Sequence, residues 1–122
     1  MATPSLTTRS VALDLVSSVL KRHRPLDETL EGHSGFTALE PRERAFARNL
    51  SATTLRRLGQ IDDIIGHCLE RPLPRRAVAV RDVLRLGICQ LFFLNIPAHA
   101  AVDTTVSLLD TIDLSPYKKL VN

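Results

Sequence analysis

The chain has 122 residues, with 16 lysines and arginines against 13 aspartates and glutamates for a net charge of +3. That length suits a single domain, residues 1–122, able to bury roughly two-thirds of its unfolded surface without a disulfide or a metal, and the modest, mostly arginine excess fits nucleic acid without demanding it. Cys68 and Cys89 lie far apart with no CxxC pair, the N-terminus has no apolar core before a small-residue cleavage site, and no run of about 18 apolar residues occurs, which excludes zinc ribbons, secretion signals and membrane spans. The expectation is a cytoplasmic protein with no metal, no membrane partner and two buried thiols.

In chain order, the first helix runs from about Thr7 to Arg22, capped by Ser5 or Thr7, with Val11 or Ala12, Leu15, Val16, Val19 and Leu20 on its apolar face and Arg9 projecting near its start. His23, Arg24 and Pro25 break it. Leu26 to Leu30 is a short second helix with Asp27 and Glu28 in its first turn, where carboxylates complement the dipole. Gly32 to Gly35 reads as a loop. Pro41 fits a first helical position, so a third helix begins near Glu40, carries Ala45, Phe46, Leu50 and Thr53 or Thr54 inward, and presents Arg42, Arg44, Arg48, Arg56 and Arg57 outward. Gly59 marks its end or a sharp turn, and a fourth helix follows through Ile61, Ile64, Ile65 and Cys68 or Leu69 until Pro72 and Pro74 stop it.

The stretch Val83 to Leu94 is apolar on almost every side. Val80, Leu84, Ile88 and Leu91 follow helical spacing, Val83, Leu86, Phe93 and Leu94 widen the stripe, and only Arg81, Arg85 and Cys89 form a polar strip. It reads as the central buried helix, at about 77–94, of an all-α fold. Gly87 inside it costs about 1 kcal/mol relative to alanine, which predicts a close helix crossing there, and Gln90 is a buried polar group that needs a partner. The helix ends near Asn95; Pro97 starts another with Ala98, Ala101, Val102, Val106, Leu109 and Ile112 as apolar positions, and Ser115-Pro116 opens a last short helix over Tyr117 to Asn122.

Catalytic constellations are not evident. His67 and Cys68 are adjacent on a helix and point about 100° apart, which does not suit a catalytic pair. The glycines form neither a GxGxxG nor a phosphate-binding loop, and Asp62-Asp63 reads as a solvated or dipole-complementing pair. This chain alone is therefore read as non-enzymatic, with no cofactor of its own. Nucleic-acid binding remains, resting on Arg9, on Arg44, Arg48 and Arg56 near one helical face, on Arg57, Arg75 and Arg76, and on Lys118 and Lys119. With one tyrosine, four phenylalanines and no tryptophan, contacts to backbone and shape are expected rather than base stacking.

Leu84-Arg85-Leu86-Gly87-Ile88-Cys89-Gln90-Leu91, Ile96-Pro97-Ala98-His99-Ala100-Ala101-Val102 and Lys118-Lys119-Leu120-Val121-Asn122 together resemble the NusB-type domain at the N-terminus of the Sun/RsmB family of ribosomal RNA methyltransferases. Arg9 with Ala12, Glu43-Arg44-Ala45-Phe46, Thr54-Leu55-Arg56 and Ile61-Asp62 with Ile64 agree with it. The resemblance implies a bundle of about six to seven helices in two small subdomains around the central helix. It also implies a downstream catalytic domain, absent from this chain, that binds S-adenosylmethionine and methylates C5 of a cytosine in small-subunit rRNA. This domain would position that RNA, with Arg9, Lys118, Lys119 and Asn122 as the family's contact positions, and its partners would be rRNA and its own catalytic domain. Cys68 and Cys89 match no catalytic motif of the family. A NusB-type transcription antitermination factor, binding RNA and a ribosomal protein, and a helical protein-interaction module without an RNA role are the other two readings.

Overall fold

The computed structural model describes residues 6–68 and 78–111. They form α1 (Leu6–Arg22), α2 (Leu26–Gly32), α3 (Ser34–Thr37), α4 (Pro41–Arg56), α5 (Leu58–Cys68), α6 (Val78–Phe92) and α7 (Ala98–Thr111). The expected all-α class holds, with no strand among the described residues. The expectations for Pro72, Pro74, Arg75, Arg76, Ile112 and the last helix lie outside the described residues.

Helix ends follow local chemistry. The chain leaves α1 through His23, whose φ of 56° is left-handed and whose N–H reaches the Val19 carbonyl at 2.9 Å, a helix-terminating geometry usually given to glycine. Pro41 occupies the first turn of α4, as expected, after an extended Glu40. The region from Gly32 to Gly35 departs from the expected loop. His33 Nδ1 accepts the Phe36 N–H at 3.0 Å and caps the single turn of α3. Histidine is not among the preferred capping residues, so the turn had no visible start signal. A β-carbon on Gly35 would come within 2.8 Å of the His33 ring, so that glycine leaves room for the capping imidazole. The break between α4 and α5 falls at Arg57 rather than at Gly59, which sits inside α5.

Helix α6 packs against α1, α4, α5 and α7. Its fully buried face is Val80, Val83, Leu86, Cys89 and Gln90. Leu84, Ile88 and Leu91 are only half-buried, so the inward face is rotated from the expected stripe, and Cys89 belongs to the core instead of the polar strip. The main core adds Ala12, Leu13 and Val16 of α1, Ala47 and Leu50 of α4, Ile61 and Ile65 of α5, and Leu108 and Leu109 of α7. A smaller core under α2 and α3 joins Leu30 to Val11 and Leu15, so α1 serves both. Ala45 and Ala98, expected inward, are exposed. Ser51 and Thr54 are buried in α4, where their hydroxyls satisfy themselves on the Ala47 and Leu50 carbonyls at 2.8 and 2.7 Å.

Gly87 is the crossing point of α6 and α7. A β-carbon there would meet Thr105 Oγ1 at 2.8 Å, and that hydroxyl is fixed on the Ala101 carbonyl. The expected partner for Gln90 is also present: Arg9 Nε donates to Gln90 Oε1 at 2.8 Å, both side chains being fully buried. A second polar tie runs between helices. Ser17 Oγ donates to Asp82 Oδ2 at 2.8 Å, Arg85 Nη1 donates to Asp82 Oδ1 at 2.9 Å, and Arg85 Nε and Nη2 grip both oxygens of Asp62 at 2.8 and 2.9 Å. Asp62 is thus an interhelical clamp between α5 and α6 rather than a solvated carboxylate. Burial works against the Arg85 charge, but the hydrogen bond and charge of Asp62, followed by those of Asp82, outweigh it and hold its pKa above the ordinary arginine value. The cysteines also part company, Cys68 being exposed and Cys89 buried.

Three outcomes are expected. Gly87→Ala lowers stability in urea titrations by about 1–2 kcal/mol, the overpacking against Thr105 exceeding the gain in helix propensity, and Thr105→Ala in that background recovers most of the loss. Gln90→Leu, which removes the acceptor of a buried cation, costs about 1.5–3 kcal/mol in the same assay. Burial raises the Cys89 thiol pKa, so a thiol reagent labels Cys68 in the native chain and reaches Cys89 only on denaturation. Because the unfolded thiol ionises first, the Cys89 contribution is intact below about pH 8.5 and is lost as pH rises above it.

Candidate nucleic-acid interface

The arginines named from the sequence do not occupy one surface. Arg9, expected to project near the start of α1, is 1% exposed. It stands one turn before Leu13 on the inner face, and its guanidinium lies over the Phe46 ring, 5.2 Å from the centroid. Burial pulls its pKa down from the ordinary arginine value. Its place is in the packing between α1, α4 and α6, and the expectation that it meets RNA is corrected by that burial.

Helix α4 does carry an outward basic face. Arg42, Arg48 and Arg56 are exposed and Arg44 is half-buried. At about 100° per residue, Arg44 and Arg48 fall on one flank and Arg42 and Arg56 on the other, with the pairs about 120° apart and bracketing Ala45 and Ala52. Arg44 to Arg56 spans roughly 18 Å along the axis. The three arginines expected on one face therefore bracket the outer surface of α4 instead of forming a single row. Small side chains between the flanks leave the guanidiniums accessible.

Partners take up little of this charge. Arg48 Nη2 lies 3.4 Å from Asp27 Oδ1, with the two side chains 63% and 82% exposed, a class of pair that contributes at most about 1 kcal/mol. Arg57 Nη1 donates to Gln60 Oε1 at 3.2 Å, and its guanidinium stacks over Phe93 at 5.2 Å, which holds Arg57 at the hinge between α4 and α5 while leaving it exposed. Arg42 and Arg56 form no ion pair with any of the described residues. By contrast Arg81 and Arg85 are occupied by Asp62 and Asp82 and belong to the scaffold. Lys118, Lys119 and Asn122 lie outside the described residues.

One group was missed in the sequence. Lys21, Arg22, His23 and Arg24 are all exposed at the corner between α1 and α2. The signal is four consecutive basic residues, of which the sequence reading places Lys21 and Arg22 in the first helix and His23 and Arg24 in its break. No group of three or more His, Cys, Asp or Glu side chains among the described residues could hold a metal ion, and no described helix is long and apolar enough to cross a membrane. His67 Nδ1 lies 2.8 Å from the Asp63 carbonyl, a contact within its own helix.

Comparison with known proteins agrees with this architecture. Residues 6–122 match the NusB family. The chain is 32% identical over 121 residues to ribosomal RNA small subunit methyltransferase B of Xanthomonas campestris pv. campestris, covering 99% of this chain and 28% of that protein. It is 31% identical over 114 residues to the protein of the same name from Photorhabdus laumondii, covering 93% and 26%. The probable ribosomal RNA small subunit methyltransferase B of Synechocystis is 28% identical over 118 residues, covering 96% and 26%. The chain thus spans about a quarter of the length of these relatives. With a family match over nearly its whole length and an all-helical fold, this chain belongs to the NusB family.

Proposed function

We propose that this chain is the RNA-positioning domain of a ribosomal RNA small-subunit methyltransferase, and that its substrate is a cytosine methylated at C5 with S-adenosylmethionine as donor. The observation that carries the RNA part is the outer surface of α4, where Arg42, Arg48 and Arg56 are exposed and, among the described residues, only Arg48 meets a carboxylate. The names of the relatives support the methyltransferase part. The residues of this chain offer no glycine-rich loop to S-adenosylmethionine, so the cofactor and the reacting groups belong to a further domain in this reading.

The domain's contribution is then electrostatic and geometric. Guanidiniums on both flanks of α4 contact phosphates and displace counterions, which favours binding without selecting sequence. Holding the RNA at a fixed place on a rigid helix raises its effective concentration at the catalytic domain. Lys118, Lys119 and Asn122, the positions the family resemblance implies, add further RNA contacts in this reading. The alternative of an antitermination factor shares the RNA contact but not the methyl transfer.

The test is binding of a small-subunit rRNA fragment across salt concentrations. Replacing Arg44, Arg48 and Arg56 by glutamate is expected to weaken binding at least tenfold and to flatten the slope of log K against log salt by about 2–3. In the full-length protein the same variant raises KM for rRNA and leaves kcat within a few-fold. Unchanged affinity and slope would overturn the RNA reading of α4, and RNA binding without any methyl transfer by the full-length protein would favour the antitermination factor.

A further inference from the structure

The corner between α1 and α2 holds more positive charge than its helix end requires. Lys21 and Arg22 lie in the last turn of α1, where cations complement the dipole. That reason does not extend to Arg24, which lies beyond the helix. Nor does it explain why the left-handed position belongs to His23, a residue with a β-carbon, where glycine would relieve the backbone. The sharp turn there brings Arg24 back beside Arg22 on one cleft of about 220 Å³, lined also by Ser18, Glu28, Thr29 and His33.

His33 lines this cleft as well, with its ring held by the cap of α3. Its Nδ1 accepts the Phe36 N–H, so that nitrogen carries no proton and the neutral ring must carry its proton on Nε2. The carboxylate facing Nε2, Asp14 Oδ2, is 3.6 Å away, beyond hydrogen-bonding distance. The cap of α3 therefore fixes the tautomer, with an Nε2–H that no acceptor among the described residues takes up at hydrogen-bonding distance. The lining holds two guanidiniums against the carboxylate of Glu28, and Asp14, 3.6 Å from Nε2, adds a second carboxylate beside it, so an anion is drawn here by the forks of Arg22 and Arg24 rather than by net charge. Asp27, next to the lining residue Glu28, pairs with Arg48 at 3.4 Å, which brings the start of α2 against that flank of α4.

We infer that the cleft between α1 and α2 is a second RNA-contact site, binding a backbone phosphodiester through Arg22, Arg24 and the Nε2–H of His33 and passing the strand on to Arg48 and Arg44. This rests on the RNA reading of the domain and extends it to residues outside α4. Arginine suits the task because its planar fork meets two phosphate oxygens at once.

The experiment is rRNA-fragment binding by the full-length protein across salt, with Arg22→Gln/Arg24→Gln measured beside the α4 variant. Both side chains are exposed, and circular dichroism verifies that the variant is folded. The expected result is at least a fivefold weaker affinity at about 0.1 M salt, with the slope of log K against log salt flatter by about 1.5, close to two lost phosphate contacts. The His33 ring resonances shift on adding RNA to the native protein and shift less in this variant. Native affinity and slope in Arg22→Gln/Arg24→Gln, with the α4 variant still weakened, would overturn the cleft and leave the α4 reading standing. Loss confined to the cleft variant would do the reverse, and failure of the native protein to bind RNA would remove both. Equal affinity but loss of an acidic protein partner would also overturn it, marking the cleft as a protein-docking site.

Discussion

A guanidinium held inside an apolar core is tolerated only when its charge finds fixed polar partners, and the assembly of this domain turns on such a case. Arg9 of α1 lies in the main core, donates to Gln90 of α6 at 2.8 Å and stacks on Phe46 of α4. Three helices from distant parts of the chain must be in register for that geometry to exist. Apolar contacts would tolerate small slips of one helix along another, whereas a misplaced buried cation is strongly penalised. The clamp of Arg85 on Asp62 and Asp82 does the same for α5 and α6, and the Ser17 hydroxyl brings α1 into it.

The crossing at Gly87 is the apolar counterpart of these ties. Removing a β-carbon lets α7 approach until Thr105 fills the space. The glycine's conformational cost is offset by contact at the point where dispersion gains are largest. With α7 seated there, Leu108 and Leu109 reach the main core, and α6 becomes buried along the face that carries Val83, Leu86 and Gln90.

This architecture divides the arginines into two populations that composition alone does not separate. Arg9, Arg81 and Arg85 are spent on the scaffold, while Arg22, Arg24, Arg42, Arg48 and Arg56 face solvent. The surface set is what an RNA backbone could meet, and it spreads over α4 and the neighbouring corner rather than gathering at the start of α1. A rigid scaffold with cations on several helices suits recognition of shape, in which many modest phosphate contacts add up.

Several features were legible in the sequence because they depend only on local properties. Apolar spacing marked the helices, Pro41 marked the start of α4, Gly87 marked a close approach through its missing β-carbon, and Gln90 in an apolar helix announced a buried partner. The exposure of Arg48 and Arg56 also follows from periodicity, since the opposite face of α4 is apolar. What only tertiary structure decided was who meets whom. Arg9 finds its acceptor 81 positions away and Arg85 grips a carboxylate 23 positions away, and nothing near them in sequence distinguishes either from a solvated arginine. The inward turn of Cys89 and the capping role of His33 are likewise set by how the helices are rotated against their neighbours. Helical periodicity tells which residues share a face; the packing of the other helices decides whether that face meets water, a carboxylate or the core.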